Sequence, residues 1–153
     1  FCSDLGRALK TAEEISKTHN LKVIPLKELR EADIGDWRDL PVKEAIKKWI
    51  DYYDAEKNKG IPRETIRPPK GENAWDHQKR LLKAVKKIVK DYPNENVVIV
   101  GHAGTNKVLL GTFDNKDPDD FYSILQDNAC INVIETDGKK HKVLKINDTS
   151  HLN

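Results

Sequence analysis

A histidine at the end of an apolar run is the first residue of this chain that could do chemistry. The run "NVVIV" is followed by "GHAGTN", so His102 stands where a β-branched strand would end. A continuous apolar run is typical of a strand buried on both faces of a parallel sheet. Ligands bind beyond the carboxyl ends of such strands, and the next helix offers free amides to an anion. His102 is therefore a candidate anion-binding residue, although a histidine that only completes a turn would fit the same pattern.

Two more residues have side chains suited to the same chemistry. Arg7 follows "SDLG" in the first turn of a helix, where a planar guanidinium can hold a phosphate. Glu31 lies in the loop "LREADIGDW" beside Ile34 and Trp37, and a carboxyl held near apolar side chains can donate a proton. Taken singly, a solvated arginine and an exposed loop glutamate are the alternative interpretations.

The elements that must position these residues alternate between strands and helices. The patterns predict strands at 21–26, 96–100, 129–135 and 140–146, the last two joined at the turn "TDGK". They predict helices after "SDLG" with Ser3 or Asp4 as N-cap, after Pro41, from about Asn73 to Tyr92, after His102, and at 117–125. This order predicts an α/β protein, a three-layer α/β/α sandwich with a mainly parallel sheet.

The second predicted helix carries apolar residues at helical spacing. They are predicted to form one buried stripe: Val42, Ala45, Ile46, Trp49, Ile50 and Tyr53.

Length and composition are those of one globular domain. The 153 residues are treated as a single domain, 1–153, with a lid-like excursion at about 38–73. The net charge of +2 gives no reason to expect a nucleic acid, and no apolar run is long enough to suggest a membrane. Cys2 and Cys130 make neither a disulfide framework nor a metal spacing, which favours a cytoplasmic location.

Five segments, in order, resemble those of one known family. "SDLGRALKTAEEI", "LREADIGDW", "GENAWDHQKRL", "VVIVGHAGTNKVLL" and "DNACINVIE" with the closing "INDTSHL" resemble motifs of the histidine phosphatase superfamily, the phosphoglycerate-mutase-like phosphatases. The resemblance covers nearly the whole chain. It implies a phosphoglycerate-mutase-like fold and hydrolysis of a small phosphate monoester through a phosphohistidine. The ester itself is not specified, since α-ribazole phosphatases and broad-specificity relatives are resembled about equally.

The resemblance also implies roles for particular residues. Glu31 and His102 would be catalytic, with Glu31 protonating the leaving alkoxide. Arg7, His102 and the amide of Ala103 would bind the phosphate. No metal and no cofactor is implied, because histidine and arginine side chains meet the phosphate charge. The implied partner is a small phosphate ester, and a homodimer is possible.

One family motif is missing. The R-H-G segment, which carries the phosphorylated histidine on the family's first strand, appears nowhere in the 153 residues. We therefore expect that the N-terminal strand is missing, that the native protein begins upstream, and that this chain alone is inactive. The alternative is a non-catalytic pseudo-enzyme that binds phosphoesters.

A basic segment precedes the third predicted helix. Residues 57–70 carry five basic side chains against one acidic, Glu64. Loops over an active site often carry specificity, so Arg63 and Arg67 are candidates for binding an anionic part of the substrate. Charges that merely keep a loop solvated are the alternative interpretation.

Overall fold

The computed structural model describes residues 1–152 and contains four α-helices and four strands. The α-helices are α1 (Gly6–His19), α2 (Val42–Asn58), α3 (Ala74–Asp91) and α4 (Ala103–Phe113). The strands are β1 (Cys2–Ser3), β2 (Pro25–Leu26), β3 (Ile131–Thr136) and β4 (His141–Asp148). Short 3₁₀ helices span Lys27–Leu29, Gly35–Trp37, Arg63–Thr65, Pro118–Ser123 and Ser150–Leu152. Within residues 1–152, no helix combines the length and apolar content that crossing a bilayer requires.

The predicted α/β class is confirmed, but the sheet is smaller than the sequence indicates. β1 pairs in parallel with β2, and Cys2 also forms an isolated parallel bridge with Val100. β3 and β4 form a separate antiparallel hairpin, as the turn "TDGK" predicts. In the run "NVVIV" only Val100 takes part in a β-bridge, and Val98 is exposed. A strand needs ladder partners to stay regular and buried, and among the described residues its backbone bonds only to Phe1 and Ser3.

The chain divides into two compact units. The first contains Phe1–Glu31 and the chain from Arg80 onward. In this unit α3 presents Leu81, Ala84, Val85 and Ile88, whose spacing places them on one face. The core of this unit consists of Leu29, Leu81, Ala84, Val85, Val108, Leu109, Phe113 and Phe121. These residues fix the ends of α3 and α4, and with them the turns that carry the candidate site.

The second unit is Ala32–Lys79, which includes the predicted excursion. Its loops meet at Gly35, whose φ of 57° and close contacts leave no room for a side chain. A Cβ atom there would lie 2.6 Å from the amide nitrogen of Gly71. The carboxylate of Glu72 accepts a hydrogen bond of 2.9 Å from the amide of Asp33. The "LREADIGDW" and "GEN" motifs therefore contact each other within this unit.

The apolar stripe predicted for α2 is wrong in part. The inner face of the helix carries Ala45, which is buried, and Trp49 and Tyr52. The rings of Trp49 and Tyr52 pack against the ring of Trp37. The three aliphatic residues of the stripe, however, are exposed: Val42, Ile46 and Ile50. At about 100° per residue they lie roughly a quarter turn away from Ala45 and Trp49. One helix face can pack against one neighbour, so the broad apolar stripe divides into a packed half and an exposed half.

Candidate active site

His102 lies at the entrance to α4. It is the N-cap residue, with extended φ and ψ of −131° and 164°, and its carbonyl accepts the first helical bond from the amide of Asn106. Its side chain is buried, and its Nε2 atom has no hydrogen-bond partner among the residues that the structure describes. A buried polar nitrogen without a partner costs free energy. The Nε2 atom of His102 is therefore available to form a hydrogen bond with a ligand that enters the site.

Three charged side chains act on this imidazole. Burial lowers the pKa of His102 below its usual value of 6.5, and the positive charges of Arg7 and Arg80 lower it further. The carboxylate of Glu31 acts in the opposite direction and raises that pKa. Arg7, Glu31 and His102, three of the residues singled out in the sequence, are thus brought within electrostatic reach of one another.

The carboxylate of Glu31 bonds to the start of α4. Its Oε2 atom accepts a hydrogen bond of 2.8 Å from the amide of Gly104. A Cβ atom on Gly104 would lie 2.9 Å from Cδ of Glu31 and closer still to Oε1, so only glycine permits this approach. Ala103, the first residue of α4, has an amide with no acceptor inside the helix. The helix start thus presents amide donors and a carboxylate side by side.

The loop that carries Glu31, residues 28–31, is fixed mainly by Arg80. The guanidinium donates to the carbonyl oxygens of Glu28, Arg30 and Glu31, at 2.7, 2.8 and 2.9 Å. The hydroxyl of the buried Thr105 also donates to the carbonyl of Arg30 at 3.2 Å. Five fixed N–H donors make a guanidinium suited to hold several carbonyls at once.

Arg80 is the site residue that sequence reasoning missed. It lies within "GENAWDHQKRL", where it is surrounded by the lysines of α3, and no motif assigns it a role. One feature could have identified it: it is the only arginine in a helix whose other basic residues are lysines and a histidine, and it directly precedes the apolar Leu81. Arginine is the preferred side chain where several acceptors must be bridged in fixed geometry.

An ion pair connects the turn that carries Arg7 to the Glu31 loop. Arg30 donates from Nε and Nη2 to the two carboxylate oxygens of Asp4, each at 2.6 Å. The predicted N-cap of α1 is therefore wrong: Leu5 takes that position without a side-chain bond, and Ser3 Oγ accepts only from the amide of Leu5 at 3.3 Å. A bidentate ion pair is stronger than one neutral capping bond, which is why Asp4 faces Arg30.

Arg63 and Arg67 belong to the second compact unit and bind within it. Arg63 donates from Nε to the hydroxyl of Tyr53, and its guanidinium carbon lies 5.6 Å from the centre of that ring. Arg67 donates to a carboxylate oxygen of Asp76 at 2.6 Å, and both side chains of this pair are about half exposed.

The assembled groups are suited to an oxyanion. An unpaired imidazole nitrogen, a guanidinium and the amides of a helix start are donors, and a carboxylate beside them can carry a proton. Over residues 1–152, no group of three or more His, Cys, Asp or Glu side chains is arranged to hold a metal ion. The arrangement can thus bind a phosphate and exchange a proton with a group attached to it.

Comparison with known proteins points to the same chemistry. The model of the histidine phosphatase superfamily (branch 1) matches residues 1–149. The uncharacterized phosphatase PhoE of Bacillus subtilis is 29% identical over 150 residues, which cover 98% of this chain and 70% of PhoE.

Solved structures agree with this match. YhfR of Bacillus stearothermophilus has a TM-score of 0.82 at 28% identity, covering 99% of this chain and 74% of that one. The α-ribazole phosphatase of Shigella flexneri has a TM-score of 0.76 at 22% identity, covering 96% and 71%. These likenesses confirm the predicted phosphoglycerate-mutase-like α/β fold.

Proposed function

Because the chain belongs to the histidine phosphatase superfamily, we propose that it forms the phosphate-binding and proton-donating part of an enzyme that hydrolyses a small phosphate monoester. One observation carries the proposal. The buried Nε2 of His102 has no partner among the described residues, and the charges acting on its imidazole are those of Arg7, Glu31 and Arg80. The unpartnered Nε2 and the positive charge of Arg7 are the kind of donors that the equatorial oxygens of a transferring phosphoryl group require.

The proposed reaction has two steps. A nucleophilic histidine nitrogen attacks phosphorus, the P–N bond forms, and the P–O bond to the alcohol breaks while Glu31 gives the departing oxygen a proton. Water then attacks phosphorus of the phosphohistidine while Glu31 takes a proton from that water. The P–N bond breaks, the electron pair returns to the histidine nitrogen, and phosphate leaves. Arg7, His102 and the amide of Ala103 bind the phosphoryl oxygens in both steps.

We propose that the nucleophile of this reaction is not among the 153 residues. They contain no R-H-G motif, and the only buried histidines are His77 and His102 among those that the structure describes. We assign phosphate binding to His102, because it stands at the start of α4 and its imidazole is within electrostatic reach of Arg7. The same absence favours a second candidate function, a phosphoester-binding protein without catalytic activity.

The proposed chemistry needs no divalent metal. The donors around His102 offer the positive charge that a metal would otherwise supply. Cys2 and Cys130 are free thiols, which suits a cytoplasmic location for the enzyme.

The specificity of the enzyme is assigned to the basic segment, residues 57–70. The ion pair of Arg67 with Asp76 is exposed, and such pairs contribute little stability, so an anionic substrate group can replace Asp76 at small cost. Arg63 would extend the same cationic surface.

Phosphate binding by the 153-residue chain tests the first part of the proposal. Inorganic phosphate added at pH 7 should shift the imidazole Cε1 proton of His102 and raise its pKa in NMR titrations. Arg7→Gln should weaken binding at least tenfold, whereas Lys10→Gln, one turn along α1, should leave it unchanged. No response of His102 to phosphate would contradict both candidate functions.

Hydrolysis separates the two candidates. The complete product of the gene should hydrolyse p-nitrophenyl phosphate in excess EDTA at an undiminished rate, and acid-labile phosphate should be trapped on a histidine. Phosphate binding without any hydrolysis by the complete product would establish the phosphoester-binding function instead. Activity abolished by EDTA and restored by Mg²⁺ would refute the metal-independent reaction.

A further inference from the structure

The ion pair of Asp4 and Arg30 has no part in the reaction proposed above, although it lies next to two residues of the proposed site. Asp4 lies three residues before Arg7, just ahead of α1. Arg30 directly precedes Glu31. The backbone pairing of β1 with β2 ends at Leu26, so the ion pair is a further connection between these two segments.

The ion pair occupies both carboxylate oxygens of Asp4. Nε and Nη2 of Arg30 each donate one hydrogen bond of 2.6 Å to them. The hydrogen bond from Arg30 lowers the pKa of Asp4, which is therefore a carboxylate at neutral pH. Bidentate pairs of a guanidinium and a carboxylate are among the strong hydrogen bonds of proteins. The negative charge of Asp4 is thus held at Arg30, and the side chain of Asp4 is only 22% exposed.

The guanidinium of Arg7, by contrast, has neither an ion pair nor a hydrogen bond among the residues that the structure describes, and its side chain is exposed. The first turn of α1 contains no acidic residue. Asp4 is the carboxylate closest to Arg7 in the sequence, and a spacing of three residues allows opposite charges to pair near a helix. Aspartate is also favoured at helix starts. An Asp4 released from Arg30 would therefore be a partner for Arg7.

We propose that Arg30 is a positioning residue, which keeps the carboxylate of Asp4 away from Arg7 so that Arg7 is free to bind a phosphate. Without Arg30, Asp4 would compete with the phosphate for the guanidinium and would repel the phosphate charge. The inference rests on the proposed function, because phosphate binding by Arg7 belongs to that function. It adds a residue that touches no substrate and acts through Asp4 and Arg7.

Phosphate binding by the 153-residue chain tests the inference, with the imidazole of His102 as the NMR probe at pH 7. Arg30→Gln should weaken the binding of inorganic phosphate about fivefold, the upper value for an exposed ion pair. Asp4→Asn breaks the same ion pair but leaves no competing carboxylate, so this variant should bind phosphate at least as tightly as the unchanged chain. The double variant Asp4→Asn/Arg30→Gln should regain the affinity that Arg30→Gln loses.

This asymmetry separates the proposed role from a purely structural one. If the ion pair only held the two segments together, Asp4→Asn would weaken phosphate binding as much as Arg30→Gln, and the double variant would regain nothing. Either result would overturn the inference. Circular dichroism should show each variant folded, and Asp4→Asn decides the question by itself if Arg30→Gln does not fold.

Arg38→Gln is the matched control. Arg38 also binds both oxygens of an aspartate, Asp33, but in the second compact unit. The control should leave the phosphate affinity unchanged. Arg30→Lys should retain most of the affinity, because lysine keeps a positive charge for Asp4 although it lacks the bidentate geometry.

A double-mutant cycle shows whether Arg30 acts through Arg7. In the Arg7→Gln chain, the added change Arg30→Gln should weaken phosphate binding by less than about twofold, because the guanidinium that Asp4 would capture is absent. A further fivefold loss in that background would overturn the inference. If the unchanged chain binds no phosphate, the proposed function fails and the inference fails with it. If all these variants of Arg30 and Asp4 bind phosphate like the unchanged chain, only the inference fails.

Discussion

The Glu31 loop, residues 28–31, and the basic segment, residues 57–70, both depend on arginine but use it differently. In the loop, Arg80 binds three backbone carbonyls and Arg30 binds both oxygens of Asp4. In the basic segment, Arg67 forms one exposed ion pair with Asp76. Several simultaneous bonds fix a backbone, whereas an exposed pair exchanges easily with solvent or another anion. The bonds of the loop therefore suit precise placement of the Glu31 carboxylate. The exposed pair of the basic segment suits exchange of Asp76 for another anion.

Removing the guanidinium of Arg7, which we propose binds the phosphate, should have the largest effect. Arg7→Ala in the active enzyme should lower kcat by two or more orders of magnitude, because a donor to the transition state is lost. Steady-state kinetics on p-nitrophenyl phosphate measure this. Lys10→Ala on the same helix serves as the control and should leave kcat within about twofold. A similar loss in both variants would assign the effect to α1 as a whole and not to the guanidinium.

Releasing the Glu31 loop should have the next largest effect. Arg80→Gln should lower kcat about thirtyfold with little change in KM, because general acid catalysis contributes about 10²–10⁴ and a misplaced acid retains part of it. The pKa of His102 should rise, since the charge of Arg80 lowers it. NMR titration measures that shift, and Lys83→Gln, also on α3, should alter neither quantity. A change in thermal stability without a change in kcat or in the pKa would make Arg80 a purely structural residue.

A substitution at Gly104 can displace the Glu31 carboxylate while the bonds of Arg80 to the Glu31 loop stay in place. Gly104→Ala should displace Glu31 from the amide of α4 and lower kcat about tenfold, while the urea midpoint changes little because alanine favours helix. Gly6→Ala is the matched control, because nothing lies within 4 Å of a Cβ atom there. Unchanged kcat in Gly104→Ala would show that the bond between Glu31 and Gly104 has no part in catalysis.

Substitutions in the basic segment should change binding but not turnover. Arg67→Ala and Arg63→Ala should raise KM about three- to tenfold for an ester with a second anionic group, and leave kcat unchanged. For an ester with a neutral tail, neither KM nor kcat should change. Equal effects on both esters, or none on either, would remove the segment from the substrate site.

The smallest expected effect is on stability at mildly acidic pH. The folded-state pKa of His102 lies below the unfolded value of 6.5, so the unfolded chain binds the proton more tightly. Its contribution to stability is complete above pH 6.5 and is lost as the pH falls from 6.5 through the folded-state pKa. Urea unfolding at pH 5 and pH 7.5 should show a smaller loss of stability for His102→Gln than for the unchanged chain. An equal loss would mean that other groups control the acid response.

Much of the fold was predictable because local patterns determine it. The pattern predicted a helix from about Asn73 to Tyr92, close to the observed α3, and "TDGK" predicted the hairpin of β3 and β4. The order of five motifs predicted the family, which is confirmed. The strand "NVVIV" was predicted too long, because ladder partners decide a strand's regularity and its sequence does not reveal them.

By itself, the sequence determined which residue types stand at the helix starts: an arginine after "SDLG" and a histidine after "VIVG". It did so because turns and helix starts depend on residues close together in the chain. Only the tertiary structure decided that Arg80, 49 positions beyond Glu31, would hold that residue's backbone, and that Asp4 would bind Arg30 in place of capping α1. It also decided which half of the apolar stripe on α2 would be buried. Such choices depend on which side chains meet across long chain separations, and side-chain geometry in the folded chain selects among partners that are chemically equivalent in the sequence.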